Sequence, residues 1–339
     1  MTDTHQSRLR DFGHRIGRLE PGDRNAITDV AGVLVGQSTV VDGEKGIYSG
    51  VTAIVPTALT EAGAPSLPAG LHVGNGYGKF VGATQVMELG ELETPVLLTA
   101  TLSTFRVADA LLSWLLDRAH EPLVSVNPVV GEVNNGWLST GDPRPVTAGH
   151  VYAALDGAGT EVQMGNVGGG TGACALGFKA GIGSASRRVE LSGRAATVGA
   201  LVQANMGGDL RLPWGTVTPE SLGSRRAGPS SQRGSCVVVL ALDIACGALQ
   251  LSRIAARGVL ALGRVGASYS HGSGDYGLAF SAVPSDSPRT LTPAELDTVF
   301  AAALESVEEA VIDALLAART IRTPGGHEAV ALPHEVLRP

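Results

Sequence analysis

The stretch "SSQRGSCVVVLALD", Ser230–Asp243, joins two kinds of chain that seldom meet so abruptly. A polar segment reaches Gly234 and Ser235, and the seven apolar residues Cys236–Leu242 follow without a break. An apolar run of that length, bounded by turn residues, reads as a strand buried on both faces. Residues 216–234 are rich in Ser, Arg, Gly and Pro and have no period, so they read as an exposed loop that ends on the serine. A serine at the mouth of a buried strand, directly behind such a loop, calls for a chemical reason.

Working outward, short strands are expected at Val33–Val40 and Gly50–Pro56, each closed by glycine or proline. Residues 66–82 read as a glycine-rich loop, and "ETPVLLTATL" as a buried strand. In "TFRVADALLSWLLDRAH", Val107, Leu111, Trp114, Leu115 and Arg118 recur at helical spacing. "PLVSVNPVVGEVNNG" is a strand ending in a polar corner, and "ATVGALVQANMGG" a buried strand ending at Asn205. Helix 248–264 and strand 276–284 follow, and residues 291–320 form one long helix or two. Thr292 caps that helix, Pro293 takes its first position and Glu295 completes a capping box. Strands and helices are mixed, so the class is α/β or α+β.

The 339 residues suffice for one large or two ordinary domains. A net charge of −7 favours solubility and argues against a nucleic-acid partner. Aromatics are 4%, so Val, Ala, Leu and Ile must build the core. Three cysteines, Cys174, Cys236 and Cys246, give no disulfide framework and no zinc-ligand spacing. Residues 1–25 read as a polar arm without the apolar region of a secretory signal, and no apolar run reaches membrane-spanning length. The expected location is the cytoplasm, without a membrane partner.

The most glycine-dense segment, Met164–Leu191, lacks the lysine-bearing phosphate-loop pattern and a dinucleotide fingerprint. Close packing and tight turns explain it more simply. The eight histidines are scattered and no G-x-S-x-G elbow exists to pair with one. At Gly234–Ser235 a sharper chemistry is available. A serine hydroxyl can attack the preceding carbonyl, passing the acyl group from nitrogen to oxygen, and water can then hydrolyse the ester. The new N-terminal amine, with a reference pKa of about 7.7–8.0, suits a general base at neutral pH. Nucleophile and base then share one residue.

These residues resemble the self-processing aminopeptidases that include the DmpA-like L-aminopeptidase/D-esterases and the β-peptidyl aminopeptidases. The likeness covers nearly the whole chain: "GDRNAITDVAGVLVGQ", "GVTAIVP", "GNGYGKFVG", "VVGEVNNGWL", "GNVGGGTGACALGFKAGIGSASR", "ALVQANMGG", "RGSCVVVLALD" and "GSGDYGLAFS", in that order. It implies a four-layer α-β-β-α sandwich in one domain, residues 1–339, cut into chains 1–234 and 235–339. No metal or organic cofactor is expected. The partners implied are a small peptide, amide or ester with a free amine, and further copies of the two-chain unit in a homotetramer.

By the same resemblance Ser235 is the nucleophile and Asn205 the side-chain donor of the oxyanion hole. Ser273 and Asp275 orient the serine, and Glu132 holds the substrate ammonium with Asn135 nearby. Trp137 stands where a tyrosine is common, and an indole N–H can donate but neither accept nor ionise. The β-peptidyl branch often has Glu where this chain has Asp275, so the relay or the α/β preference differs. Cys236 alternates to the face opposite Ser235 and reads as core. Two other readings stay open: an acyltransferase with the same self-cut architecture, and a binding protein that never matures.

Overall fold

The computed structural model describes residues 6–61, 63–119, 121–228, 234–284 and 289–337. Eleven strands matter here: β1 (Val33–Asp42), β2 (Ile47–Pro56), β3 (Leu67–Gly76), β4 (Phe80–Val81), β5 (Glu91–Leu92), β6 (Val96–Ala100), β7 (Val129–Val133), β8 (Ile182–Leu191), β9 (Arg194–Asn205), β10 (Ser235–Leu242) and β11 (Gly274–Ser281). The helices packed on them are α1 (Thr104–Arg118), α2 (Ala148–Asp156), α3 (Ala248–Arg264) and α4 (Pro293–Leu316). One sheet runs β1-β2-β6-β7-β4 and the other β8-β9-β10-β11-β3-β5. The pairings are antiparallel except β6–β7 and β10–β11, which are parallel.

Three apolar clusters define four layers. Val35, Ile54, Leu98, Leu201 and Phe280 fill the space between the sheets. Val51, Leu97, Leu111 and Val151 join the first sheet to α1 and α2. Val202, Leu240, Ile254, Val307 and Val311 join the second to α3 and α4. The architecture is therefore helix-sheet-sheet-helix. β10 shows why a continuous apolar run is needed. Val237, Val239 and Ala241 face the other sheet, while Cys236, Val238, Leu240 and Leu242 face the helices. Every residue of this strand is buried.

The structure corrects some sequence expectations and resolves others. Most of the supposed loop 66–82 is β3, a strand between β11 and β5. Its glycines answer to a close helix: a Cβ on Gly70 would lie 2.2 Å from the Ser252 amide nitrogen of α3. The glycine-dense segment contains the ten-residue β8. The segment 291–320 holds one helix, with Thr292 accepting from the Glu295 amide as its cap. The described part of the N-terminal arm is docked: Leu9 and Ile16 are buried, and Arg8 meets Asp313 of α4 at 2.8 Å. Part of the loop before Ser235, residues 229–233, lies outside the described residues. No described helix is long and apolar enough to cross a membrane.

Candidate active site

Ser235 is the first residue of the doubly buried strand and is only 4% exposed. Its register partners are Asn205, the last residue of β9, and Gly274, the first of β11. By alternation it shares the inter-sheet side with Val237, at the end where the apolar filling stops. Its hydroxyl accepts the Gly274 N–H at 3.3 Å. Gly234 is buried as well. A Cβ there would stand 2.7 Å from the Gly207 nitrogen and the Met206 Cα, so no other residue fits without a shift.

The amide of Asn205 is held at both ends. Its Oδ1 accepts the Cys174 N–H at 3.0 Å, and its Nδ2 donates to the Asn134 carbonyl at 3.1 Å. These partners fix which end of the amide is the donor. The Cys174 N–H is presented by a turn tied together from inside by Lys179. That lysine is fully buried, and its ammonium donates to the carbonyls of Ala173 at 2.6 Å, of Ala180, and of Gly170 at 3.5 Å. Burial pulls Lys179 down to about 8 and pushes the Cys174 thiol up to about 11. Upstream, the N–H groups of Gly168 and Gly169 donate to Thr39 and Thr52. The glycine run spends these donors on the protein, which argues against a phosphate cradle.

Two hollows meet at the Gly234–Ser235 bond. A cleft of about 510 Å³ is lined by Ser235, Glu132, Lys79, Thr101, Asn134 and Tyr77, among others. A pocket of about 60 Å³, room for no more than a few waters, is lined by Gly234, Asn205, Trp137, Cys174 and Met206. Asn134 lines both. Glu132 is 2% exposed. Its Oε1 accepts the Lys79 main-chain N–H at 3.0 Å and lies 3.7 Å from the Lys79 ammonium. Its Oε2 is buried with no hydrogen-bond partner among the described residues.

Ser273 and Asp275 are buried on either side of Gly274, but they bond each other, at 2.7 Å, rather than Ser235. Asp275 pairs in register with Cys236, which puts it on the helix-facing side of the sheet. Burial raises its carboxyl to about 6, against the opposing effect of the Ser273 hydroxyl, and its Oδ2 has no partner among the described residues. Cys236 is core, its thiol pushed well up by burial and by the Asp275 charge.

The remaining sequence candidates separate. Asn135 donates to the Tyr48 carbonyl at 2.9 Å and lines neither hollow, so its visible work is to hold the corner after β7. Trp137 lines the small pocket and stacks on His327, with centroids 4.8 Å apart and planes 4° from parallel. Sequence reasoning passed over Asn134, Lys79, Thr101 and Cys174. Only Lys79 carried a local signal, a lysine closing the glycine-rich "GNGYGK".

The chain and its fold match known relatives. The chain is 36% identical to the β-peptidyl aminopeptidase BapA of Sphingosinicella microcystinivorans, over 98% of this chain and 91% of that protein. A Burkholderia sp. β-aminopeptidase superposes with a TM-score of 0.87 at 36% identity, covering 98% of this chain and 97% of the other. The L-aminopeptidase D-Ala-esterase/amidase of Ochrobactrum anthropi, described as a prototype serine aminopeptidase and a variant of the Ntn hydrolase fold, gives 0.87 at 37% identity, covering 97% and 96%. The profile of peptidase family S58 matches residues 25–329. A mixed α/β chain with this fold, and with a family match over nearly its whole length, is an aminopeptidase-type hydrolase that belongs to peptidase family S58.

Proposed function

We propose that the chain cuts its own Gly234–Ser235 bond and then works as a serine aminopeptidase through an acyl-Ser235 ester. The observation that carries this reading is the placement of Ser235. It begins a strand buried on both faces, behind a buried glycine, with the amide of Asn205 as its register partner.

In self-cleavage the Ser235 Oγ attacks the Gly234 carbonyl, the amide nitrogen leaves as the new α-amine, and water hydrolyses the ester. The product is a pair of associated chains, 1–234 and 235–339. In turnover the free α-amine takes the Oγ proton as the hydroxyl attacks the substrate carbonyl. The Asn205 Nδ2 then donates to the oxyanion in the small pocket. Such a donor typically contributes about 3–4 kcal/mol to the transition state. Ser273 and Asp275 flank the register partner of Ser235, which suits them to hold its new N-terminus. The unpartnered Glu132 Oε2 receives the substrate's ammonium, and a blocked amine would leave that carboxylate unpaired.

No cofactor enters these steps. The substrates are small peptides, amides or esters with a free amine, and the location is cytoplasmic. A homotetramer of two-chain units fits the exposed Leu249 and Leu260, three turns apart on α3.

The test compares alanyl p-nitroanilide with its N-acetylated form, in the wild type and in Glu132→Gln. The blocked substrate should be at least about a hundredfold worse. The variant should lose activity mainly on the free amine. Equal wild-type rates on both substrates would move the reading to a general amidase.

A further inference from the structure

Resting on the aminopeptidase reading, we infer that Lys79 and Glu132 form a paired recognition site for an acyl residue that carries a carboxylate as well as its free amine. Such a group is an aspartyl or glutamyl residue at the N-terminus of the substrate.

The inference starts from the charge inventory of the cleft. Among its described lining residues, Glu132 is the one carboxylate and Lys79 the one cation. Glu132 gives Oε1 to the Lys79 main chain and keeps Oε2 unpartnered. The Lys79 ammonium is held at this mouth by Thr101 Oγ1 at 2.7 Å, and its side chain is 38% exposed. It lies 3.7 Å from Glu132 Oε1, outside good hydrogen-bond distance. The pair is therefore electrically balanced while each partner keeps bonding capacity for something else.

A substrate whose acyl group bears only an ammonium upsets that balance. Its positive charge would enter a half-buried cleft beside Lys79, and like charges there repel more strongly than in water. A zwitterionic acyl group restores the balance, with its ammonium on Glu132 Oε2 and its carboxylate on Lys79. Both new bonds are charge-assisted. The shared chemistry, ammonium and carboxylate on one acyl residue, occurs in two linkages. In an α-linked aspartyl residue the carboxylate is on the side chain. In a β-linked one the amine and the carboxylate share the α-carbon, and the side-chain carbonyl is attacked.

The experiment measures kcat/KM for four p-nitroanilides: α-aspartyl with its neutral isostere asparaginyl, and β-aspartyl with 3-aminobutyryl. The mature wild type should favour the acidic member of at least one pair by on the order of tenfold or more. The pair that shows the advantage identifies the linkage. Lys79→Met keeps the main-chain N–H that anchors Glu132 and should erase the advantage. Lys79→Arg should restore much of it, and Lys79→Glu should reverse it. Hydrolysis of the neutral substrates without an acidic advantage in either pair overturns the inference and leaves the aminopeptidase reading standing. An advantage unchanged in Lys79→Met overturns it too. A wild type that hydrolyses alanyl p-nitroanilide but none of the four also overturns the inference, whereas one that hydrolyses none of the five fails the aminopeptidase reading itself.

Discussion

Two groups of buried charges in this protein are built on opposite plans. On the α4 side, Arg187 is fully buried and fully engaged. It reaches Glu305 at 3.1 Å, Glu309 at 2.6 Å and the carbonyls of Ser186 and Ile16. Arg10 and Asn25 complete Glu309, and Arg8 with the Leu9 N–H completes Asp313. Near Ser235, by contrast, Glu132 in the cleft and Asp275 on the helix-facing side of the sheet each keep a buried carboxylate oxygen without a partner among the described residues. An uncompensated buried polar atom costs stability, whereas one paired on all sides is a structural clamp. The difference teaches where to look for chemistry: the clamp ties the N-terminal arm to the fold, and the open oxygens keep bonding capacity that the fold does not use.

The contrast can be broken from either side. The largest effect expected on stability is at the clamp. Arg187→Ala takes the fully buried counter-charge from Glu305 and Glu309 and should cost about 3–5 kcal/mol in urea unfolding, with the kcat of the folded fraction nearly intact. A loss below about 1 kcal/mol would end the comparison on that side. Next comes Asn205→Ala, which should lower kcat by about a hundredfold or more with little change in KM, and slow self-cleavage as well. Normal turnover would remove Asn205 from the oxyanion hole.

The smallest effect is a sharpening one, at Asp275. Its folded pKa, about 6, lies above the ordinary carboxylate value because of burial. The folded state therefore binds more protons than the unfolded state in the window between the two. Stability falls as pH rises through that window, and the penalty is complete above about 6. Asp275→Asn removes the penalty. It should be more stable than the wild type at pH 8, by on the order of 1–2 kcal/mol, and the gap should close toward pH 4. On the proposed role of Asp275 in holding the new N-terminus, the same variant should also lose activity. A wild type that is the more stable at pH 8 would show that the charge is structurally satisfied.

Much of this was legible in the sequence. The run Cys236–Leu242 announced a strand between two apolar layers, and "LTPAE" announced a capped helix, because both signals are local. β3 was not legible, since its glycines are there to admit α3, a tertiary demand that mimics loop composition. That Ser235, Asn205 and Glu132 line hollows meeting at one bond was signalled only through the family resemblance, not by any local pattern. The pairing of Ser273 with Asp275 instead of Ser235, and the presence of Lys79 beside Glu132, depended on strand register, which no motif spells out. Trp137 was singled out for its indole N–H, yet its stacking on His327 comes from a segment distant in sequence.

Self-cleavage is the central claim, and it is tested most directly by the mass and N-terminal sequence of the purified protein, beside Ser235→Ala prepared in the same way. The wild type should separate under denaturing conditions into two chains, the smaller beginning Ser235-Cys236-Val237. The variant should remain one inactive chain of 34.5 kDa. A wild type that is active while uncut, or a Ser235→Ala chain still cut between Gly234 and residue 235, would contradict the account.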